Sequence, residues 1–167
     1  GETAAGKYPV ESVAIMDAIV QEAEGHLKQW GHWKGSMPTA ESEDAVSLTR
    51  AARELSQDVN VAAITVFTES GRTARFMSKA FPRVPILGLT PEPKTYNRMA
   101  LYSGVHPLMV ELSHSVDDML GSIEEKLLEL HWMKPGQKVV VISGYPIGEM
   151  KPPSLVMLYT LGQRSRT

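Results

Sequence analysis

Val61-Ala62-Ala63-Ile64-Thr65-Val66-Phe67 runs directly into Thr68-Glu69-Ser70-Gly71-Arg72-Thr73, and a helix-compatible segment, 74–80, follows. An apolar run of strand length without alternation is the pattern of a strand covered on both faces. Joined to a helix through a short polar turn, it reads as the strand–turn–helix junction of an α/β domain. At such a junction the first N–H groups of the helix lack intrahelical partners, and the macrodipole favours an anion. Thr68, Ser70 and Thr73 add hydroxyl groups, Gly71 lets the backbone approach a ligand closely, and Arg72 and Arg75 bring positive charge. The same residues also fit a simpler role, in which Thr68 or Ser70 caps the helix. The stretch is neither G-x-x-x-x-G-K-[ST] nor G-x-G-x-x-G, so an anion held here is a smaller phosphate ester than a nucleoside triphosphate or a dinucleotide.

Towards the C-terminus the alternation continues. Spacing and punctuation predict a helix over 71–80, strand 85–89, helix 92–102, strand 105–111, helix 115–131, strand 137–143 and a last strand over 155–161. Within the longest of these helices Val116, Met119, Leu120, Ile123, Leu127 and Leu130 share one stripe, while Asp117, Glu124, Glu125 and Glu129 fall off it. Towards the N-terminus, Thr39 ahead of Glu41, Glu43 and Asp44 reads as an N-cap and acidic first turn of a helix ending near Ser56. Gly25, Gly31, Gly35 and Pro38 punctuate a connector that holds Trp30 and Trp33. Before it, Pro9 suits a first helical turn, and Val10, Val13, Ile15, Met16, Ile19 and Val20 spread over more than one face of a helix that needs cover on several sides. The expected fold is a three-layer α/β/α domain around a mostly parallel, mixed five-stranded sheet.

In such a sheet ligands collect beyond the carboxyl ends of the strands. Two loops lie there, 68–73 and the long Ser143-Gly144-Tyr145-Pro146-Ile147-Gly148-Glu149-Met150-Lys151-Pro152-Pro153-Ser154. The second reads equally as a flap over a ligand or as a Pro/Gly-stiffened connection to an edge strand.

Composition narrows the function. The chain has 167 residues, 43% of them hydrophobic and 22% charged, enough for one core. A formal net charge of -2 provides no basic footprint for nucleic acid or an anionic membrane. No window approaches the roughly 18 apolar residues of a spanning helix, and no basic-then-apolar leader opens the chain, so neither membrane nor secretion is expected and the expected location is cytoplasmic. Without cysteine there are no disulfides, thiolate chemistry or Cys-based zinc sites. His26, His32, His106, His114 and His131 show no ligand spacing, so no metal site is expected. The Asp117-Asp118 and Glu124-Glu125 pairs are expected on an exposed helix face, and no serine is joined by histidine in a nucleophilic arrangement. No catalytic residue is expected in the chain. Met77, Met99, Met109, Met119 and Met157 are expected to fill core gaps.

Several ordered motifs carry a family resemblance. Gly1-Glu2-Thr3-Ala4-Ala5-Gly6-Lys7-Tyr8-Pro9-Val10-Glu11 resembles the G-E-T-A-x-G-x-Y-P-x-E segment of pyruvate kinases, which leads into the last helix of their (β/α)8 barrel. Thr68-Glu69-Ser70-Gly71-Arg72-Thr73-Ala74-Arg75 resembles their T-x-S-G-x-[ST]-A loop, and Pro85-Ile86-Leu87-Gly88-Leu89-Thr90 the strand after it. Leu101-Tyr102-Ser103-Gly104-Val105-His106-Pro107 is similar to L-Y-x-G-V-x-P, and Lys138 to Gly144 to G-D-x-V-V-V-x-x-G.

The resemblance spans essentially the whole chain and implies the C-terminal, allosteric domain of a pyruvate kinase over 31–167, preceded over 1–30 by the last barrel helix and a connector. It implies that Thr68, Ser70 and Thr73 hold the phosphate of an effector together with backbone N–H groups from Glu69, Ser70, Gly71 and Arg72. It also implies an effector loop, with Gly144, Tyr145, Pro146, Gly148 and Lys151, closing over the sugar. Glu69 is expected to point outward, since a carboxylate about 5 Å from phosphate repels it by roughly a kcal/mol. No counterpart of the extra basic residues that bind a second phosphate stands near Val116 or Met119, which favours a sugar phosphate or nucleoside monophosphate over a bisphosphate. The parent would be a cytoplasmic, homotetrameric glycolytic enzyme that moves a phosphoryl group from phosphoenolpyruvate to ADP. Its magnesium, potassium and substrates belong to the barrel, expected to precede Gly1, so this chain alone is expected to be inactive and without cofactors. Two other roles stay open on the residues: an oligomerisation module with a vestigial phosphate loop, and a free-standing phosphate-ester sensor.

Overall fold

A computed structural model describes residues 1–26, 44–58, 61–80, 82–149 and 151–163. They belong to two compact units, Gly1–Gly35 and Ser36–Thr167. In the first unit α1 (Glu2–Ala5) is followed by α2 (Pro9–His26). The Glu2 carboxylate accepts from the Tyr8 N–H at 2.8 Å, which ties the two together. Along α2 the apolar residues do not gather on one stripe, and Val10, Val13, Ile15, Met16, Ile19 and Val20 are all exposed.

In the second unit α3 (Asp44–Asp58) precedes β1 (Val61–Phe67), α4 (Arg72–Ala80), β2 (Ile86–Thr90), α5 (Pro93–Met99), β3 (Val105–Met109), α6 (Val116–Glu129), β4 (Lys138–Gly144) and β5 (Pro153–Thr160). The five strands form one sheet in the order β3-β2-β1-β4-β5. The first four run parallel, with Ile64 facing Ile86 on one side and Val140 on the other. β5 returns antiparallel along β4, pairing Tyr159 with Val139. The expected mixed five-stranded α/β domain is therefore present, with element ends displaced by at most three residues, the largest shift being at the end of α5, which stops at Met99 where 102 was expected. The helix expected from Thr39 is described only from Asp44, so its cap and the connector with Trp30, His32 and Trp33 lie outside the described residues.

Period-two alternation along β4 splits the core into two layers. Val139 and Val141 join Ala63, Leu87, Leu89, Met119, Ile123 and Leu127 beneath α6. Val140 and Ile142 join Ile64, Val66, Ala74, Met77, Ile86 and Met99, and with them the α3, α4 and α5 side of the sheet. A register shift between Val61 and Ala63 lets Val61 share a layer with Ile64 despite their odd spacing. Ser115 starts α6 by accepting from the Asp118 N–H at 3.1 Å.

Two expectations need correction here. Met109 is 40% exposed on the edge strand β3, because β3 has a neighbour on one side alone and its outer positions turn to solvent. Glu124 does not share the exposed face of Glu125: half-buried, it accepts from the Tyr159 hydroxyl at 2.7 Å and also from the Gly162 N–H. That carboxylate clips the far end of β5 onto α6.

Candidate functional site

The strand order reverses direction beside β1: the chain leaves β1 towards β2, while β4 lies on its other side. Carboxyl ends of strands at such a switch point diverge and leave a crevice. A cleft of about 220 Å³ opens there, bordered by the 68–73 loop, by Val110, Glu111, Leu112 and Ser113 after β3, and by the β4–β5 connection.

The 68–73 loop is held from two directions. Thr68 is buried, and its Oγ1 accepts from the Gly71 N–H at 2.9 Å. Gly71 has φ +74, a conformation that a side chain would strain, and the turn depends on it. From beneath, the Thr95 hydroxyl of α5 donates to the Glu69 carbonyl at 2.6 Å, and Arg98 donates to the Ser70 carbonyl. A trans peptide points its N–H opposite its carbonyl, so the bond at Glu69 turns the Ser70 N–H away from α5. Among the described residues the N–H groups of Glu69 and Ser70 meet no acceptor. Thr95 and Arg98 carry no signal in the sequence of the loop, since the chain brings them there from the following βα unit.

Of the residues singled out by sequence, Thr68, Glu69, Ser70, Arg72 and Thr73 border the cleft together with Gly144, Gly148 and Lys151. Gly71 is buried in the turn, its N–H already taken by Thr68. Tyr145 and Pro146, joined by a cis peptide, are exposed and do not border the cleft. Glu69 is solvent-exposed and stands on the cleft rim. The Arg72 guanidinium lies 5.4 Å from the Phe76 ring centroid, one helical turn on. The Lys151 ammonium pairs with Glu149 at 2.6 Å. Among the described residues the cleft is bordered by the cations Arg72 and Lys151 and by the carboxylates Glu69 and Glu111, so these charges balance and attraction for an anion rests on the α4 N-terminus more than on them.

The β4–β5 connection is packed in place. A Cβ on Gly144 would overlap the Lys151 carbonyl oxygen. One on Gly148, where φ is +92, would come within 3.0 Å of the Ser113 carbonyl oxygen. The loop therefore touches the segment after β3 at a point that only glycine fits.

A family model described as the pyruvate kinase alpha/beta domain matches residues 46–156. The chain belongs to the pyruvate kinase family. It is 36% identical over 152 residues to a pyruvate kinase of Clostridium acetobutylicum, an overlap of 87% of this chain and 31% of that protein. A pyruvate kinase of Lactococcus lactis is 33% identical over 150 residues, 89% of this chain and 29% of the relative. A Bacillus licheniformis pyruvate kinase is 33% identical over 164 residues, 97% of this chain and 28% of the relative. The chain thus spans under a third of the length of these pyruvate kinases. Among its described residues no three His, Asp or Glu side chains gather into a group that could hold a metal ion. Nor is any described helix long and apolar enough to cross a membrane.

Proposed function

We propose that this domain holds the phosphate of a small phosphate ester at the α4 N-terminus and so regulates the pyruvate kinase to which it belongs. The observation that carries the reading is convergence. Ser70 and Thr73 hydroxyls, free N–H groups at a helix start and the Lys151 side of the β4–β5 connection all border one cleft at the switch point. An anion at that place gains from the unpaired donors and from the helix dipole together. The 144–154 connection is the flap over the remainder of the ligand, docked through Gly148.

Within the whole protein, phosphoryl transfer from phosphoenolpyruvate to ADP, the magnesium and potassium it uses and the nucleotide site belong to regions outside this chain. The working form is a cytoplasmic homotetramer to which this domain contributes contacts. Ligand binding shifts such an assembly only by the difference in its affinity for the two states, typically about 1–3 kcal/mol.

The test is steady-state kinetics of the full-length enzyme carrying Ser70→Ala with Thr73→Ala. Activation by glucose 6-phosphate, ribose 5-phosphate or AMP should disappear while turnover without activator persists. Activation that survives both substitutions refutes the site.

A further inference from the structure

Beneath the 68–73 loop, the buried Thr95 hydroxyl joins an exposed cation, Arg98, to a backbone peptide. Thr95 and Arg98 stand three residues apart on α5 and so share one face of the helix. The Arg98 Nη2 donates to the Thr95 Oγ1 at 3.2 Å and to the Ser70 carbonyl at 2.5 Å, while the Thr95 Oγ1 lies 2.6 Å from the Glu69 carbonyl oxygen. A guanidinium has donors alone, so the Thr95 oxygen accepts from it and the single hydroxyl proton goes to Glu69. The bonds therefore run in one direction, from the cation to the Glu69 carbonyl. The other side of that peptide is the Ser70 N–H, which meets no acceptor among the described residues. Neither Thr95 nor Arg98 borders the cleft, whose own charges balance.

From this chain of bonds we infer that Thr95 and Arg98 are positioning residues, which aim the Ser70 N–H at an anion on the α4 N-terminus and pass to it the polarisation of the Arg98 charge. Hydrogen bonds in series polarise one another, and a carbonyl that accepts from a polarised hydroxyl leaves the N–H of its own peptide a stronger donor. The inference rests on the phosphate-site reading above. It adds that the strength of the loop is set from behind, by a helix one βα unit later in the chain. Thr95 also packs under the turn, since its methyl group lies 3.3 Å from where a Cβ on Gly71 would stand. The two roles of Thr95 separate by substitution: valine keeps the methyl group, and serine keeps the hydroxyl.

The experiment is calorimetric titration of the full-length protein and its variants with inorganic phosphate at low and high salt. Thr95→Val should weaken phosphate by about fivefold, as loss of one hydrogen bond requires, and Thr95→Ser should bind as the parent does. Arg98→Gln keeps a donor for the Ser70 carbonyl but removes the charge. It should weaken phosphate by about threefold at low salt, and by less as salt rises. With Thr95→Val already present, Arg98→Gln should cost less than it does alone, because members of one hydrogen-bond network are not additive. Unchanged affinity in Thr95→Val, or equal weakening in Thr95→Ser, would make Thr95 a packing residue and overturn the inference. An Arg98→Gln loss that is absent, or that neither salt nor Thr95→Val alters, would overturn it too, and this variant decides the matter if Thr95→Val does not fold. In each of these cases the phosphate site stands as long as Ser70→Ala/Thr73→Ala abolishes binding. If the folded parent binds no phosphate, or if Ser70→Ala/Thr73→Ala binds it as tightly as the parent, the phosphate site and this inference fall together.

Discussion

The Thr68 hydroxyl accepts from the Gly71 N–H at 2.9 Å, so the residue that ends β1 also folds the turn that starts α4. Thr68 is 6% exposed, and this bond keeps the turn closed without help from solvent. Thr68→Val keeps the shape and removes the acceptor, leaving a buried N–H unpaired. Urea unfolding should show a loss of about 1–2 kcal/mol. Phosphate affinity should fall as well, because the turn sets the direction of the Ser70 N–H.

Gly148 couples the flap to the wall after β3. With φ +92 and the Ser113 carbonyl 3.0 Å from where a Cβ would stand, Gly148→Ala forces the flap outward. Hydrogen exchange should quicken in the 144–149 segment while β1 and β4 amides keep their protection, since the core layers are untouched. Equal exchange in parent and variant would show that the flap does not depend on this contact.

Glu124 receives the Tyr159 hydroxyl at 2.7 Å and the Gly162 N–H. Glu124→Ala abandons both donors and should cost about 2–3 kcal/mol in thermal or urea unfolding. Glu124→Gln, which keeps one acceptor oxygen, should lose less than half of that. Identical losses would mean that packing, and not these bonds, holds β5 to α6.

Lys151 and Glu149 form an exposed pair at 2.6 Å, each side chain 53% exposed, and such pairs contribute about 0–1 kcal/mol to stability. Glu149→Gln should therefore leave the unfolding midpoint nearly unchanged. It should strengthen phosphate binding severalfold at low salt by releasing Lys151 to the ligand, and the gain should shrink as salt rises. An unchanged affinity at low salt would remove Lys151 from the site.

The order of strands and helices was legible because each uses a pattern that depends on near neighbours in the chain. Val61 to Phe67 is apolar but for Thr65, and the α6 stripe repeats at helical spacing. The 68–73 loop was legible for the same reason, as a polar turn between two such patterns. Legible neither from pattern nor from motif were Thr95, Arg98 and Ser113. Thr95 and Arg98 read as ordinary positions on a short helix, and Ser113 as part of a loop. Glu124 and Glu125 likewise read as a pair, and only the approach of β5 separates them.

What the amino-acid sequence determined by itself is the alternation of elements, the glycine-dependent turn at a helix start and the family to which the chain belongs. These follow from hydrophobic period, backbone freedom and motif spacing, all of which act over a few residues. What the tertiary structure decided is which distant groups meet. The sheet order places the loops after β1, β3 and β4 around one cleft. It presses Thr95 and Arg98 against the 68–73 loop, and among the described residues it leaves the buried Ser113 hydroxyl without a hydrogen-bond partner. The physical reason is that hydrogen bonding and burial are settled by proximity in space, and parallel strand pairing brings into contact residues that no local pattern connects.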